Sequence, residues 1–374
     1  MSSDPGPVLR EALFEDMARV QDLKRAVGFG DDSPEDWDWL WRNNPAWRDA
    51  QQTPSMGWVL ETTGRIVGYL GSVSTLNHYR EKTVKAATST GFAVDPEYRG
   101  YTLKLVAAFF KQTDKDILLN TTAIEVAGKI FRKFKASPMP QQDYDQVMYW
   151  VLQPGAFISS ALKYKNRHPA VAWAASCILA LPFRGVIALK KKTPRRFSGK
   201  TERPVELRTI DVSDIGQEFD DLWARKAIEE TRLISYRTAE ILRWHFAKVQ
   251  AKILCCYREG NLVGYAVVTQ DNVDQISLTR SKIADLFVEK DDPELVGQLL
   301  RGAYDYAKSS GSHVLEVIGF PSSISDTFRK ANPHFRQMQS WPYFYLALDN
   351  GFHKELEDEK SWFACPFDGD TSLF

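Results

Sequence analysis

The chain contains an internal repeat, and this repeat restricts the folds open to it more than any other feature. One copy begins at Gly64 with GRIVGYLGSV and the other begins at Gly260 with GNLVGYAVVT, so both follow the pattern G-x-[I/L]-V-G-Y. In both copies the first glycine separates two apolar, strand-like runs. This pattern predicts a β-hairpin with a tight turn.

The same elements follow each hairpin in the same order. A long strand ends in valine and an acidic residue, GFAVDP at 91–96 and DLFVEK at 285–290, and a helix comes next. A strand follows, DILLN or HVLEVIGF, and then a helix that ends in Phe-Arg-Lys, while a helix with Trp and Arg precedes each hairpin. We therefore predict an α/β (α+β) fold with two domains of one design, each a mixed, mostly antiparallel sheet flanked by helices.

Length and composition agree with two soluble domains. The 374 residues are divided into a first domain at 1–155, a connector at 156–202, a second domain at 203–350 and a tail at 351–374. Lys and Arg total 48 and Asp and Glu total 48, so net charge does not favour nucleic acid as a partner. The four cysteines and six histidines show no metal-ligand spacing, and the polar N-terminus is not a secretory signal. We expect a cytoplasmic protein with reduced cysteines and no metal.

The stretch VDPEYRGYTLKL, residues 94–105, joins the long strand of the first copy to its helix. A strand-to-helix turn presents N–H groups and the positive end of the helix dipole, which together suit a phosphate group. Arg99 adds a fixed positive charge, and Gly100 lets a ligand approach the backbone closely. A structural turn that binds no ligand is the alternative.

The element order and the V-x-P-x-Y-R-G pattern of this turn resemble the GNAT (GCN5-related N-acetyltransferase) superfamily. The resemblance is good over 7–152 and weaker over 204–348. It implies tandem GNAT-like domains, an N-acyltransferase activity, and acetyl-CoA or another acyl-CoA as co-substrate. Two later glycines of the family pattern are replaced here by Thr102 and Lys104.

The resemblance also implies which residues bind the co-substrate. Val94 would bond the pantetheine arm, and the turn from Arg99 through Gly100, Tyr101 and Thr102 to Leu103 would hold the diphosphate on free backbone N–H groups. Asn120, at the end of the strand DILLN, would either bond the pantetheine or cap the next helix. In the second copy, Glu289, Asp291, Asp292 and Glu294 occupy this turn and would repel a diphosphate, so we expect no CoA there.

Acyl transfer to an amine needs a proton acceptor and a proton donor. The resemblance implies a tyrosine on the last helix of the domain, but Phe131 occupies that place, and the strand VKAATSTGFAV has no carboxylate. The substitute catalytic candidates are Tyr144, Tyr149, Asp36 and His78. Each has a structural alternative: core positions for the tyrosines, a helix cap for Asp36 and a solvated turn for His78.

The acceptor is expected to be an amine on a small molecule or a glycan. SPEDWDWLWRNNPAW resembles part of bacterial GNAT-like proteins from surface-polysaccharide clusters, which implies an amino sugar. Trp37 and Trp41 share a helix face, as core residues or as a sugar-stacking surface. Two other functions stay open: a Fem-like aminoacyl-tRNA-dependent transferase and a non-catalytic scaffold at the membrane.

The connector differs in composition from the rest of the chain. Residues 159–200 contain ten Lys and Arg but no Asp or Glu, and their apolar centre, PAVAWAASCILALPF, is too short to span a bilayer. It is either buried or part of a homo-oligomer contact, or else residues 163–200 lie on the anionic inner face of the cell membrane as a peripheral anchor.

Overall fold

The computed structural model describes residues 6–30, 32–167 and 205–373. The chain forms two compact units, and neither is one continuous stretch of sequence. The first unit comprises Met1–Pro140, Leu233–Tyr236 and Trp341–Ser361, and the second comprises Gln141–Arg232, Arg237–Ser340 and Trp362–Phe374. This division differs from the predicted ranges of 1–155 and 203–350, because each sheet includes a strand from the other half of the chain.

The strands of the described residues are β1 Val8–Glu11, β2 Gly57–Thr62, β3 Arg65–Tyr79, β4 Lys82–Val94, β5 Ile117–Asn120, β6 Ser137–Pro138, β7 Gln146–Val151, β8 Glu206–Ile210, β9 Ile234–Ser235, β10 Ala251–Arg258, β11 Asn261–Val273, β12 Leu278–Val288, β13 Val314–Ile318, β14 His334–Gln337 and β15 Phe344–Ala347. The α-helices are α1 Met17–Ala26, α2 Pro34–Leu40, α3 Pro45–Arg48, α4 Thr102–Phe110, α5 Glu125–Lys133, α6 Pro154–Arg167, α7 Gln217–Glu229, α8 Ala239–His245, α9 Pro293–Ser309, α10 Ser322–Lys330 and α11 Asn350–Glu355.

The first unit is built on a sheet in the order β1-β2-β3-β4-β5-β15-β6, with β9 paired to β3. β4 and β5 are parallel, whereas the other pairs of this sheet are antiparallel. Helix α4 buries Leu105, Val106 and Phe109 in the core of this unit, with Phe131 of α5 in the same cluster. Full burial of one such side chain contributes about 1.5–3 kcal/mol, so this apolar face anchors the helix that follows β4.

The second unit repeats this design with the strand order β14-β7-β13-β12-β11-β10-β8. Here β12 and β13 are the parallel pair. Strand β7 pairs with β13 and β14, although its sequence lies in the first half of the chain. The prediction of mixed, mostly antiparallel sheets flanked by helices is confirmed.

The connector expected at 156–202 begins inside α6, and residues 168–204 lie outside the described residues. The predictions of burial, oligomer contact or membrane contact for this segment therefore stay predictions. No helix in the described part of the chain has the length and apolarity needed to cross a bilayer.

A buried histidine makes the second unit sensitive to acid. His245 of α8 is 6% exposed, and its Nε2 lies 2.7 Å from the hydroxyl of Ser372. Burial, together with the charge of Arg237, lowers the pKa of His245 from 6.5 to about 3. Between these two values the unfolded chain binds a proton that the folded chain does not bind, so stability falls as pH falls from 6.5 towards 3.

We expect the free energy of unfolding to fall by about 2 kcal/mol between pH 7 and pH 5 through His245 alone. Urea midpoints measured at both pH values would show this loss in the wild type. The His245→Asn variant should lose correspondingly less, whatever its absolute stability. Equal losses in both proteins would contradict the assignment.

Candidate functional site

One edge of β4 is open beyond its short pairing with β5. The parallel pairing joins Ala86–Thr88 to Ile117–Leu119, and β4 then continues to Val94. Among the described residues, 89–94 therefore have no strand partner on the β5 side. An extended ligand with amide groups can pair with such an edge, as an added strand does.

The same part of β4 contains a β-bulge. Tyr69 of β3 lies opposite Ala93 and Gly71 lies opposite Thr90, so β4 has an extra residue between these two pairs. Gly91, inside the bulge, has φ +61°, and a Cβ at this position would lie 3.2 Å from the Tyr69 ring. Glycine suits this position for two reasons: it adopts a positive φ without strain, and it has no Cβ to contact the nearby ring.

Tyr69 places an unused proton donor beside this bulge. The side chain is 2% exposed and stacks on Trp37, with 6.1 Å between the ring centroids. Burial raises the pKa of Tyr69 above its usual value of 10, and the charge of Asp32 adds to this effect. Its phenol makes no hydrogen bond within the described residues, so it remains protonated and able to donate.

Two other polar groups next to the open edge are unsatisfied. The Asn120 Nδ2 atom donates to the Ser89 hydroxyl at 2.6 Å, but the buried Asn120 Oδ1 has no partner in the described part of the chain. Either orientation of the amide leaves one of its polar atoms unpaired. The Thr88 hydroxyl is also buried without a partner there. Leaving such a group unpaired costs about 1–3 kcal/mol, which is a cost that a polar ligand can relieve.

The turn after β4 differs from its sequence-based prediction. Pro96–Tyr101 form a 3-10 helix that runs directly into α4, with Tyr98 N–H donating to Asp95 O and Thr102 N–H donating to Arg99 O. A 3-10 helix uses its N–H groups in bonds between residues three apart. The expected clasp of free amides from Arg99 to Leu103 is thus not formed in this conformation, because the helix starts earlier than predicted.

Side chains of this turn are nevertheless available to a phosphate. Arg99 is exposed, and neither its guanidinium nor the Thr102 hydroxyl bonds to any described residue. Lys104 is occupied, since its Nζ donates to Pro7 O at 3.3 Å and lies 5.0 Å from the Tyr101 ring. A Cβ at Gly100 would meet nothing within 4 Å, so the fold itself does not require glycine there.

The four predicted catalytic residues are divided between the two units. Tyr144 and Tyr149 belong to the second unit, where the Tyr144 hydroxyl donates to Cys365 O at 3.4 Å and Tyr149 lies on β7. Asp36 caps α2, because its carboxylate accepts from Ser33 N–H at 2.8 Å. These contacts agree with the structural alternatives for the three residues.

Other predictions of the sequence can be compared directly with the first unit. His78 is 8% exposed on β3, so it is not in a solvated turn. Phe131 is buried and cannot supply a proton. Trp37 and Trp41 are 4% and 0% exposed, which makes them core residues and removes the sugar-stacking surface proposed for them.

The equivalent of Tyr69 in the second unit takes part in a buried network of hydrogen bonds and an ion pair. Tyr265 occupies the same place in the repeat, and its hydroxyl donates to Asp285 Oδ2 at 2.9 Å. Arg237 pairs with the same carboxylate at 3.0 Å, and both charged side chains are fully buried. The tyrosine of the repeat is therefore structural in the second unit, whereas in the first unit no described residue accepts a hydrogen bond from its phenol. The sequence analysis did not include Tyr69 among the candidate site residues. The available signal was that a tyrosine occupies this position in both copies of the repeat.

The turn after β12 in the second unit, which carries Glu289, Asp291, Asp292 and Glu294, is also held by contacts within the protein. Three of its four carboxylates, which the sequence analysis expected to repel a diphosphate, are paired with basic side chains. The pairs are Glu289 with Arg225 at 2.7 Å, Asp291 with Lys226 at 2.5 Å and with Arg232 at 2.9 Å, and Asp292 with Arg258 at 3.8 Å.

Comparisons with solved structures identify the fold. A GCN5-related N-acetyltransferase from Kribbella flavida has a TM-score of 0.54 and 12% identity, and the match covers 93% of this chain and 73% of that chain. The Saccharomyces cerevisiae N-myristoyltransferase with bound myristoyl-CoA has a TM-score of 0.55 and 13% identity, covering 92% and 79%. A probable N-acyltransferase from Enterococcus faecalis V583 has a TM-score of 0.56 and 10% identity, covering 91% and 73%.

No protein-family model and no curated protein matches the sequence. The structural matches show the fold alone at these identities. This chain has the fold of the GCN5-related N-acetyltransferases, and the predicted GNAT-like fold is confirmed.

Proposed function

We propose that the protein is an acyl-CoA-dependent N-acyltransferase whose acyl donor binds at the open edge of β4 in the first unit. The observation that carries this proposal is a set of polar groups along that edge with no partner among the described residues: the buried Thr88 hydroxyl and Asn120 Oδ1, and beside them the phenol of Tyr69. The GNAT fold supports it, because solved relatives of this fold include N-acetyltransferases and an N-myristoyltransferase with bound myristoyl-CoA.

Each group has a defined role in this proposal. The edge of β4 and the unpaired amide atom of Asn120 bond the amide groups of the pantetheine arm. Arg99 and the Thr102 hydroxyl contact phosphate oxygens, and the Arg99 charge supplies most of this attraction. No metal is needed for these contacts.

Acyl-CoA supplies a thioester, which an amine can attack. Attack by the amine nitrogen breaks the C–S bond and leaves a thiolate, and Tyr69 gives its phenolic proton to that sulfur. The proton that the amine loses returns through solvent to Tyr69, so the enzyme is regenerated. The acceptor is proposed at the level of an amine, since buried Trp37 and Trp41 give no support to an amino sugar in particular.

Replacement of Arg99 by glutamine tests the donor site. We expect acetyl-CoA to bind about tenfold more weakly at low salt, with a smaller difference at high salt, because an exposed charge is screened by ions. Isothermal titration of the full-length protein measures this change. Arg25→Gln on α1 is the matched control, because Arg25 is exposed and pairs with Asp22 at 3.0 Å.

The Gly100→Ala variant provides a second test of the donor site by the same isothermal titration with acetyl-CoA. The fold should tolerate the added methyl group, since the space around it is open. Weaker binding by this variant would therefore report on the ligand. Absence of binding by the wild type to acetyl-CoA, octanoyl-CoA and myristoyl-CoA at about 1 mM would overturn the proposed function.

A further inference from the structure

The second unit contains a small cavity that the proposed transferase reaction does not use. Its volume is about 220 Å³, below the roughly 300–1,000 Å³ of pockets for drug-sized ligands. Residues that line it include Tyr149 of β7, Phe157 and Ala161 of α6, Leu278 and Arg280 of β12, and Arg336 of β14. The ligand that fits is therefore a small molecule.

Most of the cavity wall is apolar. Tyr149 and Phe157 stack with 6.2 Å between their centroids, and both belong to a buried cluster with Val314, against which Leu278 packs. Such walls favour a hydrocarbon or aromatic body over a sugar or a phosphate, which would need many more hydrogen-bonding groups.

Three charged residues line the cavity, and two of them are arginines. Asp271 accepts from both Arg280 and Lys282, at 2.8 Å and 2.7 Å, and is fully used by them. Glu316 is the remaining carboxylate, and it lies 3.4 Å from Arg336 and 3.8 Å from Arg280. Asp271 and Lys282 lie outside the lining, and the three charged residues that do line the cavity, Arg280, Arg336 and Glu316, carry one positive charge in excess.

Arg336 is the group with spare binding capacity. Only its Nη2 atom makes contacts, both to Glu316 oxygens at 3.4 Å, which is long for a hydrogen bond. Its Nε and Nη1 atoms have no partner in the described ranges, and the side chain is 18% exposed. A second donor lines the same cavity, because the Tyr149 hydroxyl also bonds to no described residue.

We propose that this cavity binds a small monocarboxylate with an apolar body. The carboxylate pairs with the free face of the Arg336 guanidinium and accepts from the Tyr149 hydroxyl, while the body lies against Phe157 and Leu278. The match rests on charge and size together. A single negative charge balances the local excess, and an arginine presents the parallel donors that a carboxylate accepts.

The test uses hexanoate as the probe and hexanamide as its uncharged analogue. In isothermal titration of the full-length protein we expect hexanoate to bind with a Kd of about 1 mM or tighter, and hexanamide at least about tenfold more weakly. Arg336→Gln should remove this preference by weakening hexanoate about tenfold while leaving hexanamide unchanged. Arg301→Gln, which alters an exposed pair with Asp305 in the same unit, should change neither ligand.

Two further measurements keep the proposal testable if Arg336→Gln fails to fold. From butyrate to hexanoate, affinity should rise about fourfold for each added CH₂ group, because each is buried on binding. Ala161→Phe fills the cavity and should abolish binding of hexanoate. Equal affinity for hexanoate and hexanamide, unchanged binding by Ala161→Phe, or no heat from hexanoate at about 10 mM would each overturn the proposal.

Discussion

Replacement of Tyr69 by phenylalanine is expected to lower the rate of thiol release from acetyl-CoA about 100-fold or more, with the affinity for acetyl-CoA little changed. The phenol lies beside the bulge of β4, is 2% exposed, and makes no hydrogen bond within the described residues. It is held protonated by burial and would donate to the thiolate that leaves. Its loss removes this donor without removing a contact that holds the fold.

The rate can be measured without knowledge of the natural acceptor. Hydroxylamine serves as the nucleophile, and the free thiol of CoA is followed by a thiol reagent. Tyr265→Phe is the matched control, because this residue holds the same position in the second copy of the repeat and donates to Asp285 at 2.9 Å. We expect this control to lose stability by about 1–3 kcal/mol but to keep its rate.

The two variants thus separate a catalytic effect from a structural one. A Tyr69→Phe protein with the wild-type rate would exclude Tyr69 as the proton donor and leave the donor site itself untouched. Equal rate losses in both variants would show that the effect comes from packing in either copy of the repeat.

Replacement of Asp285 by alanine is expected to destabilise the second unit by about 3–5 kcal/mol. Asp285 and Arg237 are both fully buried and lie 3.0 Å apart, so removal of the carboxylate leaves a buried guanidinium without its counter-charge. The same change removes the acceptor of the Tyr265 hydroxyl. Urea unfolding followed by tryptophan fluorescence measures the loss.

A double replacement shows which part of this loss is due to the uncompensated charge. Arg237→Met combined with Asp285→Leu removes both charges and should recover most of the stability, because two apolar side chains need no partner. Glu206→Gln is the surface control, since its pair with Arg208 is exposed and should contribute little to stability. An Asp285→Ala protein as stable as this control would contradict the assigned role of the pair.

Sequence reasoning could predict the fold but only part of the candidate site. The hairpins at Gly64 and Gly260, the strands ending at Val94 and Val288, and the helices after them follow from local patterns and are present in the structure. The capping role of Asp36 was also accessible, because a capping box depends on residues only three positions apart.

The sequence did not show how strands are shared between the sheets. The sequence placed Tyr149 within the first domain, at 1–155, but its strand β7 joins the second sheet, and β15 from the far end of the chain joins the first. The sequence of an apolar strand does not specify which sheet the strand joins. Strands pair through backbone N–H and C=O groups, which nearly every residue has. The predicted catalytic tyrosines were therefore assigned to the wrong unit.

By itself, the sequence determined the duplicated αβ design, since hydrophobic spacing and turn residues act between neighbours along the chain. Only the tertiary structure decided which tyrosine of the repeat has a hydrogen-bond partner and which has none in the described part of the chain. The Tyr265 phenol donates to Asp285, whereas the Tyr69 hydroxyl lies beside Gly71, with its ring against Gly91, and no described residue accepts its proton. That difference arises across paired strands, where residues far apart in sequence lie side by side.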